Sequence, residues 1–231
     1  MKVCLVIPCF NEAKAIGDVV KGAKKVFGKS SHDFEIVVIN DGSRDNSSEI
    51  ARKSGVTVID HILNQGAGGA TLTGLSYARN NAFDYAITID ADGQHDPNDA
   101  LSCFLQAVET KSDLLIGSRM INTSGMSKVK VIGNRGLSLI TGLLFGVNVT
   151  DSQSGLRVFS RKALDNLTWK STGYEFTSET IWRAKQARLG ISEYPIRAIY
   201  TDYSRAKGQN NWNAINILKS LVKQRIVELF E

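Results

Sequence analysis

The stretch Ala86-Ile87-Thr88-Ile89-Asp90-Ala91-Asp92-Gly93-Gln94-His95 carries a short β-branched run straight into two carboxylates one residue apart. A run this short suits a strand buried on both faces rather than a helix. Similar runs stand at 3–7, 36–39, 57–59 and 114–116. Between them apolar residues recur at three- and four-residue steps: Ile16, Val19, Val20, Ala23 and Val26, then Leu72, Leu75 and Ala78, then Leu101, Leu105 and Val108. That spacing lays one apolar stripe along a helix. Strands alternating with helices predict an α/β fold on a mostly parallel sheet with right-handed crossovers.

Past about residue 120 the alternation weakens. Segments 129–145 and 177–189 read as amphipathic helices, and 191–200 as extended, with Pro195 placing it at a bend or sheet edge. A polar loop, 201–211, leads to a last helix, 213–230, striped by Ile215, Leu218, Val222, Ile226 and Leu229.

With 231 residues, 42% of them apolar and 22% charged, the chain has an ordinary globular composition and can bury a core without disulfides. No run approaches the ~18 apolar residues needed to span a bilayer. The greasiest stretch, 129–149, is broken by Lys130, Asn134, Arg135 and Asn148. The N-terminus lacks the long apolar core and cleavage site of a signal peptide, so a cytoplasmic protein is expected. Cys4, Cys9 and Cys103 match no zinc or redox spacing and read as small apolar residues. The net charge of +5 suits anionic partners. Nucleic acid is not among those expected, because the basic residues are dispersed and no aromatic-rich RNA motif occurs.

In an open α/β sheet, ligands bind beyond the carboxyl ends of the strands. Pro8-Cys9-Phe10-Asn11-Glu12, Asn40-Asp41-Gly42-Ser43 and Asp90–Gln94 all stand at such ends. No Gly-rich turn follows the first strand and no Gly-Lys-Ser/Thr occurs, which excludes dinucleotide and P-loop sites. The Gly-rich segment 64–69 opens a later helix and reads as a tight turn more readily than as a phosphate cradle. Asp90 and Asp92 repel each other unless a positive charge sits between them, and a hard divalent ion with oxygen ligands fits. The competing reading makes them caps for a helix beginning near Pro97, or turn formers.

Six motifs in register with these strands carry a resemblance. They are Ile7-Pro8-Cys9-Phe10-Asn11-Glu12, Asn40-Asp41-Gly42-Ser43-Arg44-Asp45, the segment from Asn64 to Gly69, Asp90-Ala91-Asp92-Gly93-Gln94, Gly117-Ser118-Arg119 and Asp151-Ser152-Gln153-Ser154-Gly155. The set resembles family 2 glycosyltransferases, in order from about residue 3 to 210, and is most similar to their dolichyl-phosphate mannose/glucose synthase-like branch. The resemblance implies a GT-A catalytic domain over 1–211, with a nucleotide-sugar-binding half (1–120) and an acceptor-binding half (121–211), followed by an amphipathic helix (212–231). It implies inverting, metal-dependent transfer of a hexose from GDP-mannose, UDP-glucose or UDP-GlcNAc to dolichyl or polyprenyl phosphate.

Carried over by position, Pro8, Phe10, Glu12, Ile39 and Asp41 line the nucleoside pocket, and Asp90, Ala91 and Asp92 touch the donor. Asp90, Asp92 and Gln94 hold Mg²⁺ or Mn²⁺, while Arg119, Arg135 and Ser138 receive the acceptor phosphate. Arg205 lies in a basic loop that closes on the diphosphate. The expected catalytic set is Asp92, Arg119 and, as general base, Asp151, for which turn formation is the alternative. The chain departs from the family at Asn40, where an Asp is frequent, and at Gln209-Asn210-Asn211, where Ser-Lys is frequent and Lys207 can supply the charge instead. A lipid acceptor implies peripheral binding to the cytoplasmic face of a membrane and leaves room for a membrane-anchoring subunit. Two other readings fit the same residues: a family 2 transferase with a glycan or soluble acceptor, and a non-catalytic nucleotide-sugar-binding module.

Overall fold

Along strand β1 (Lys2–Cys9), Val3, Leu5 and Ile7 enter one apolar core and Cys4 and Val6 another, all wholly buried. Alternation with both faces buried places β1 inside a sheet covered on two sides. The computed structural model describes residues 1–200 together with Lys219, Leu221 and Val222. After β1 the chain runs α1 (Ile16–Phe27), β2 (Asp33–Asn40), α2 (Ser47–Lys53), β3 (Thr57–Asp60), α3 (Gly66–Asn80), β4 (Tyr85–Thr88) and α4 (Pro97–Thr110). It continues through β5 (Leu114–Ser118), α5 (Lys128–Phe145), β6 (Arg157–Ser160), α6 (Arg161–Asn166), α7 (Phe176–Gln186) and β7 (Ile191–Pro195).

These strands form one sheet in the order β3-β2-β1-β4-β6-β5-β7. Its ladders are parallel except those of β6, which runs antiparallel to both β4 and β5. One core joins the sheet to α1 and α4 through Ile16, Val20, Cys103 and Phe104. The other joins it to α3, α6 and α7 through Ala70, Leu75, Ala163 and Ile181. Helix α3 lies so close to β1 that a Cβ on Gly74 would stand 2.1 Å from Val6 Cγ1. The three cysteines are free and buried, as their spacing suggests.

Strand β6 and helices α2 and α6 are not legible in the apolar pattern. β6 has four residues, opens on the charged Arg157 and passes directly into α6. Its position between β4 and β5 also means that the described residues on either side of position 120 share one sheet. The reversed direction has a consequence for the site. Because β6 is antiparallel, the segment 151–156 that precedes it arrives at the edge where β1, β2, β4 and β5 end. Apart from Lys219, Leu221 and Val222, the expected helix 213–230 falls outside the described residues, as do Arg205 and Lys207.

Candidate active site

The loops after β1 and β2 are tied together. Asn11 N–H donates to Ser43 Oγ (3.0 Å), Arg44 N–H to Asn11 Oδ1 (2.8 Å) and Glu12 N–H to Ser47 Oγ (2.8 Å). Phe10 projects from this assembly 42% exposed, while Pro8 is half-buried and Glu12 is buried. Two expected pocket residues turn inward instead. Ile39 is wholly buried in the α3-side core, so its side chain lines no pocket. Asp41 is also buried, and its carboxylate accepts from His61 Nδ1 (2.7 Å), Gln65 N–H (2.8 Å) and Gly66 N–H (2.8 Å). It thereby satisfies the first amide groups of α3, which a helix N-terminus otherwise leaves without partners. Gly42 makes room for this arrangement, with φ +69° and the Asn64 amide nitrogen 2.9 Å from where a Cβ would be. The Gly-rich turn packs closely rather than forming an open cradle. Gly68 N–H donates to Thr172 O (2.8 Å), and a Cβ on Gly66 would lie 2.3 Å from that oxygen.

Beyond β4 stands the acid pair. The cap of α4 is Asp96, which accepts from Asn98 N–H at 2.8 Å, so neither Asp90 nor Asp92 is used for capping. Asp90 accepts from His95 Nε2 (3.0 Å), and about half of its side-chain surface (52%) is accessible. Burial alone would raise its pKa. The His95 hydrogen bond and the charges of His95, Arg119 and Arg157 outweigh that and hold Asp90 below the usual carboxylate range. Asp92 moves the other way, pushed up to about 6 by burial and then by the Asp90 charge. Gln94 donates to it from both its backbone (3.0 Å) and its side-chain amide (2.8 Å). Ala91, between the two acids, is buried. Tyr174, which sequence reasoning passed over, lies within the electrostatic range of the same acids. Its phenol is raised by burial and by the charges of Asp90, Asp92 and Glu12, while the residue stays 48% exposed.

Among the described residues no group of three or more His, Cys, Asp or Glu side chains is arranged to hold a metal. A magnesium-type site, however, takes one or two carboxylates and fills its remaining positions with water and substrate phosphate. Two adjacent carboxylates, one of them raised by the other's charge, fit that donor set.

Arg119 follows β5 and is clamped by Asp151. Its Nε donates to Oδ2 (2.8 Å), its Nη2 to Oδ1 (2.9 Å) and its backbone N–H to Oδ2 (3.0 Å). The Asp151 side chain has no accessible surface, whereas Arg119 keeps 16% of its own. Burial would raise the Asp151 pKa, but the Arg119 charge and hydrogen bonds hold it low. The enclosed, ion-paired Asp151 carboxylate anchors Arg119 in this arrangement. Glu193 on β7 steadies the anchor by accepting from the backbone N–H groups of Thr150 (2.9 Å) and Asp151 (3.1 Å). Arg157 is a further residue that the sequence did not mark. It is buried beneath the edge and donates to the carbonyls of Ser154 and Ser152 (both 3.0 Å).

A cavity of about 430 Å³ opens beside this pair, lined by Met120, Arg135, Ser138, Leu139, Leu143, Val149 and Thr150, among others. Met120 and Thr150 are the chain neighbours of Arg119 and Asp151, so the cavity adjoins that pair, whose Arg119 charge in turn acts on Asp90. Ser138 accepts from Ser152 N–H at 2.9 Å, fastening α5 to the segment 151–155. Arg135 is exposed. Val129, Ile132, Leu139 and Leu143 on the same helix are exposed as well, next to Lys128 and Lys130. No helix among the described residues is long and apolar enough to cross a membrane.

The family model for glycosyl transferase family 2 matches residues 4–168. The chain belongs to that family. The transferase is 39% identical over 229 residues to a UDP-N-acetylglucosamine–dolichyl-phosphate N-acetylglucosaminyltransferase of Methanococcus voltae, a match covering 89% of each protein. It is 29% identical to an undecaprenyl-phosphate mannosyltransferase of Micrococcus luteus, covering 90% of this chain and 87% of that one. Its backbone superposes on mannosyl-3-phosphoglycerate synthase from Rubrobacter xylanophilus with a TM-score of 0.73, covering 99% of this chain and 73% of the other. At 16% identity that likeness shows the GT-A fold alone.

Proposed function

We propose that this transferase moves a hexose, with inversion, from a nucleoside-diphosphate sugar to the phosphate of a polyprenyl or dolichyl lipid at a membrane surface. The observation that carries the reading is the cavity beside Arg119–Asp151: its lining sets one cation, Arg135, among the apolar Met120, Leu139, Leu143 and Val149, and Met120 and Thr150 adjoin Arg119 and Asp151 in the chain. A lining that joins a single cation to apolar side chains suits a lipid phosphate better than a glycan. The names of the relatives in Methanococcus voltae and Micrococcus luteus support a polyprenyl-phosphate acceptor. The exposed apolar residues of α5, flanked by Lys128 and Lys130, suit a helix lying in a lipid interface.

In this reading Phe10 and Pro8 flank the nucleoside, and Asp90 and Asp92, with Gln94, hold a magnesium or manganese ion beside the donor diphosphate. Such an ion, when bound, supplies Lewis-acid stabilisation of the leaving diphosphate. Arg119, immobilised by Asp151 and still 16% exposed, orients the incoming phosphate. Arg135 fixes the other side of that phosphate. A phosphate monoester with its second pKa near ~6 is largely a dianion at neutral pH. It attacks without a general base, in keeping with the enclosure of Asp151. Positioning and electrostatics do most of the work. Arg205 would add charge on the donor side.

The test is incubation with radiolabelled UDP-GlcNAc, UDP-glucose and GDP-mannose in turn, with a short-chain polyprenyl phosphate in detergent. Label in the organic phase from one of these donors is expected. Nucleotide binding without any lipid-linked label would overturn the acceptor assignment.

A further inference from the structure

The register of β4 against β6 pairs Tyr85 with Ser160, Ala86 with Phe159, Ile87 with Val158 and Thr88 with Arg157. Continued two residues past the strand, the same register sets Asp90 opposite Gly155. The side chains show this contact directly. A Cβ built on Gly155 would lie 2.5 Å from Asp90 Oδ1, 2.7 Å from Oδ2 and 2.9 Å from Cγ. The carboxylate thus lies flat against a residue with no side chain. Gly155 has no positive φ, so what it supplies is space and not an unusual backbone conformation.

The turn holding Gly155 is pinned from two sides. Thr88, two residues before Asp90, donates its hydroxyl to Gly155 O at 2.7 Å. Arg157, two residues after Gly155, donates Nε to Ser154 O and Nη2 to Ser152 O. Its Nη1 is buried with no hydrogen-bond partner, as are Ser154 Oγ and His95 Nδ1. Among the described residues these are the buried side-chain atoms left unpaired, and all three belong to residues bordering the Asp90–Gly155 contact. Unpaired buried polar atoms carry a free-energy cost, and their concentration in one place marks an arrangement kept for something other than stability.

We propose that Gly155, in a turn pinned by Thr88 and Arg157, is the positioning residue that fixes the Asp90 carboxylate at the edge of the sheet, and so sets the affinity and geometry of the divalent-ion site. This rests on the assignment of Asp90 and Asp92 as ligands made above. An alanine methyl at 2.5 Å must push the carboxylate back about 1 Å to reach ordinary contact near 3.4 Å. Magnesium-type sites demand near-ideal ligand placement, and changes in residues that orient a ligand cost about 10–100-fold in metal affinity.

The experiment is Mn²⁺ binding to the full chain, followed by electron paramagnetic resonance of the free ion, with Mn²⁺ alone and with Mn²⁺ plus UDP or GDP. Wild type is compared with Gly155→Ala, Arg157→Lys, Asp92→Ala and the remote close-contact variant Gly74→Ala, each referred to the folded fraction. Gly155→Ala is expected to weaken Mn²⁺ binding at least ~10-fold, and raised Mn²⁺ should restore part of its transfer activity. Arg157→Lys keeps the charge but not the two-carbonyl fork, so it should weaken binding several-fold, and it answers the question if Gly155→Ala does not fold. Gly74→Ala should lose stability and leave Mn²⁺ affinity unchanged. If wild type binds and Asp92→Ala does not, while Gly155→Ala and Arg157→Lys bind as wild type, the positioning role is overturned and the ligand assignment stands. If Asp92→Ala binds as tightly as wild type, the ligand assignment itself falls and the inference with it.

Discussion

Replacing Asp151 by Asn separates an anchor from a base. The substitution keeps one acceptor oxygen but puts an NH₂ group where the other carboxylate oxygen accepts from Arg119, at 2.8 and 2.9 Å in the native pair. It also removes the charge from a side chain with no accessible surface. Breaking a buried ion pair from one side costs about 3–5 kcal/mol. Since Arg119 retains 16% of its surface and recovers some solvation, the lower figure of about 3 kcal/mol applies here. Each kcal/mol lowers the melting temperature of a chain this size by about 2–4 °C, giving a fall of roughly 6–12 °C. The assay is thermal unfolding of Asp151→Asn, Arg119→Met and the double variant. For a true anchor the double variant should be less destabilised than the sum of the singles by ~1.5 kcal/mol or more, because the second change removes a charge the first had stranded. A wild-type melting temperature for Asp151→Asn, or strict additivity in the cycle, would refute the anchoring role and return Asp151 to acid–base chemistry.

The remaining expectations are independent of that cycle. Asp92 keeps its proton up to about pH 6 in the fold against an ordinary value of 3.8, so between those values the folded state holds a proton that the unfolded state has released. Stability therefore falls as pH rises through that window, and metal-free Asp92→Asn should gain on wild type by up to about 2 kcal/mol at pH 7 and not at pH 3. An equal offset in melting temperature at both pH values would contradict this. Arg135→Ala should raise the KM for polyprenyl phosphate ~10-fold, the worth of a charge-assisted hydrogen bond, and leave the donor KM unchanged. Steady-state kinetics varying each substrate in turn decides it. Gly74→Ala drives a methyl into Val6 and should cost about 1–3 kcal/mol in urea unfolding, with activity per folded molecule preserved.

The gathering of three acid-bearing loops at the carboxyl edge was legible in the sequence because local signals carry it. A buried strand ending in Asp-x-Asp needs no distant partner to be recognised, and β1, β2 and β4 place their loops together by being adjacent and parallel. Asp41 and Asp151 read as site residues because they are acids in polar turns, yet each is taken up by partners elsewhere in the chain. Asp41 is used by His61 and the start of α3, and Asp151 by Arg119, 32 residues away. Ile39 was expected at the pocket from its position at the end of β2, but its side chain faces the core. Strand β6 escaped because four residues headed by an arginine carry no apolar alternation. With it escaped the reversal that brings Gly155 against Asp90 and buries Arg157 beneath them. The exposed stripe on α5 could not be told from a core-facing one by spacing alone.

The most direct measurement of the central claim is a competition for acceptor. The active donor, radiolabelled, is offered polyprenyl phosphate and a soluble oligosaccharide together, with Mn²⁺, with chelator, and with Asp92→Ala in place of wild type. Label in the organic phase that disappears with chelator and with the variant is the expected result. Label in the oligosaccharide, or lipid-linked label that persists without metal and in Asp92→Ala, would contradict the account.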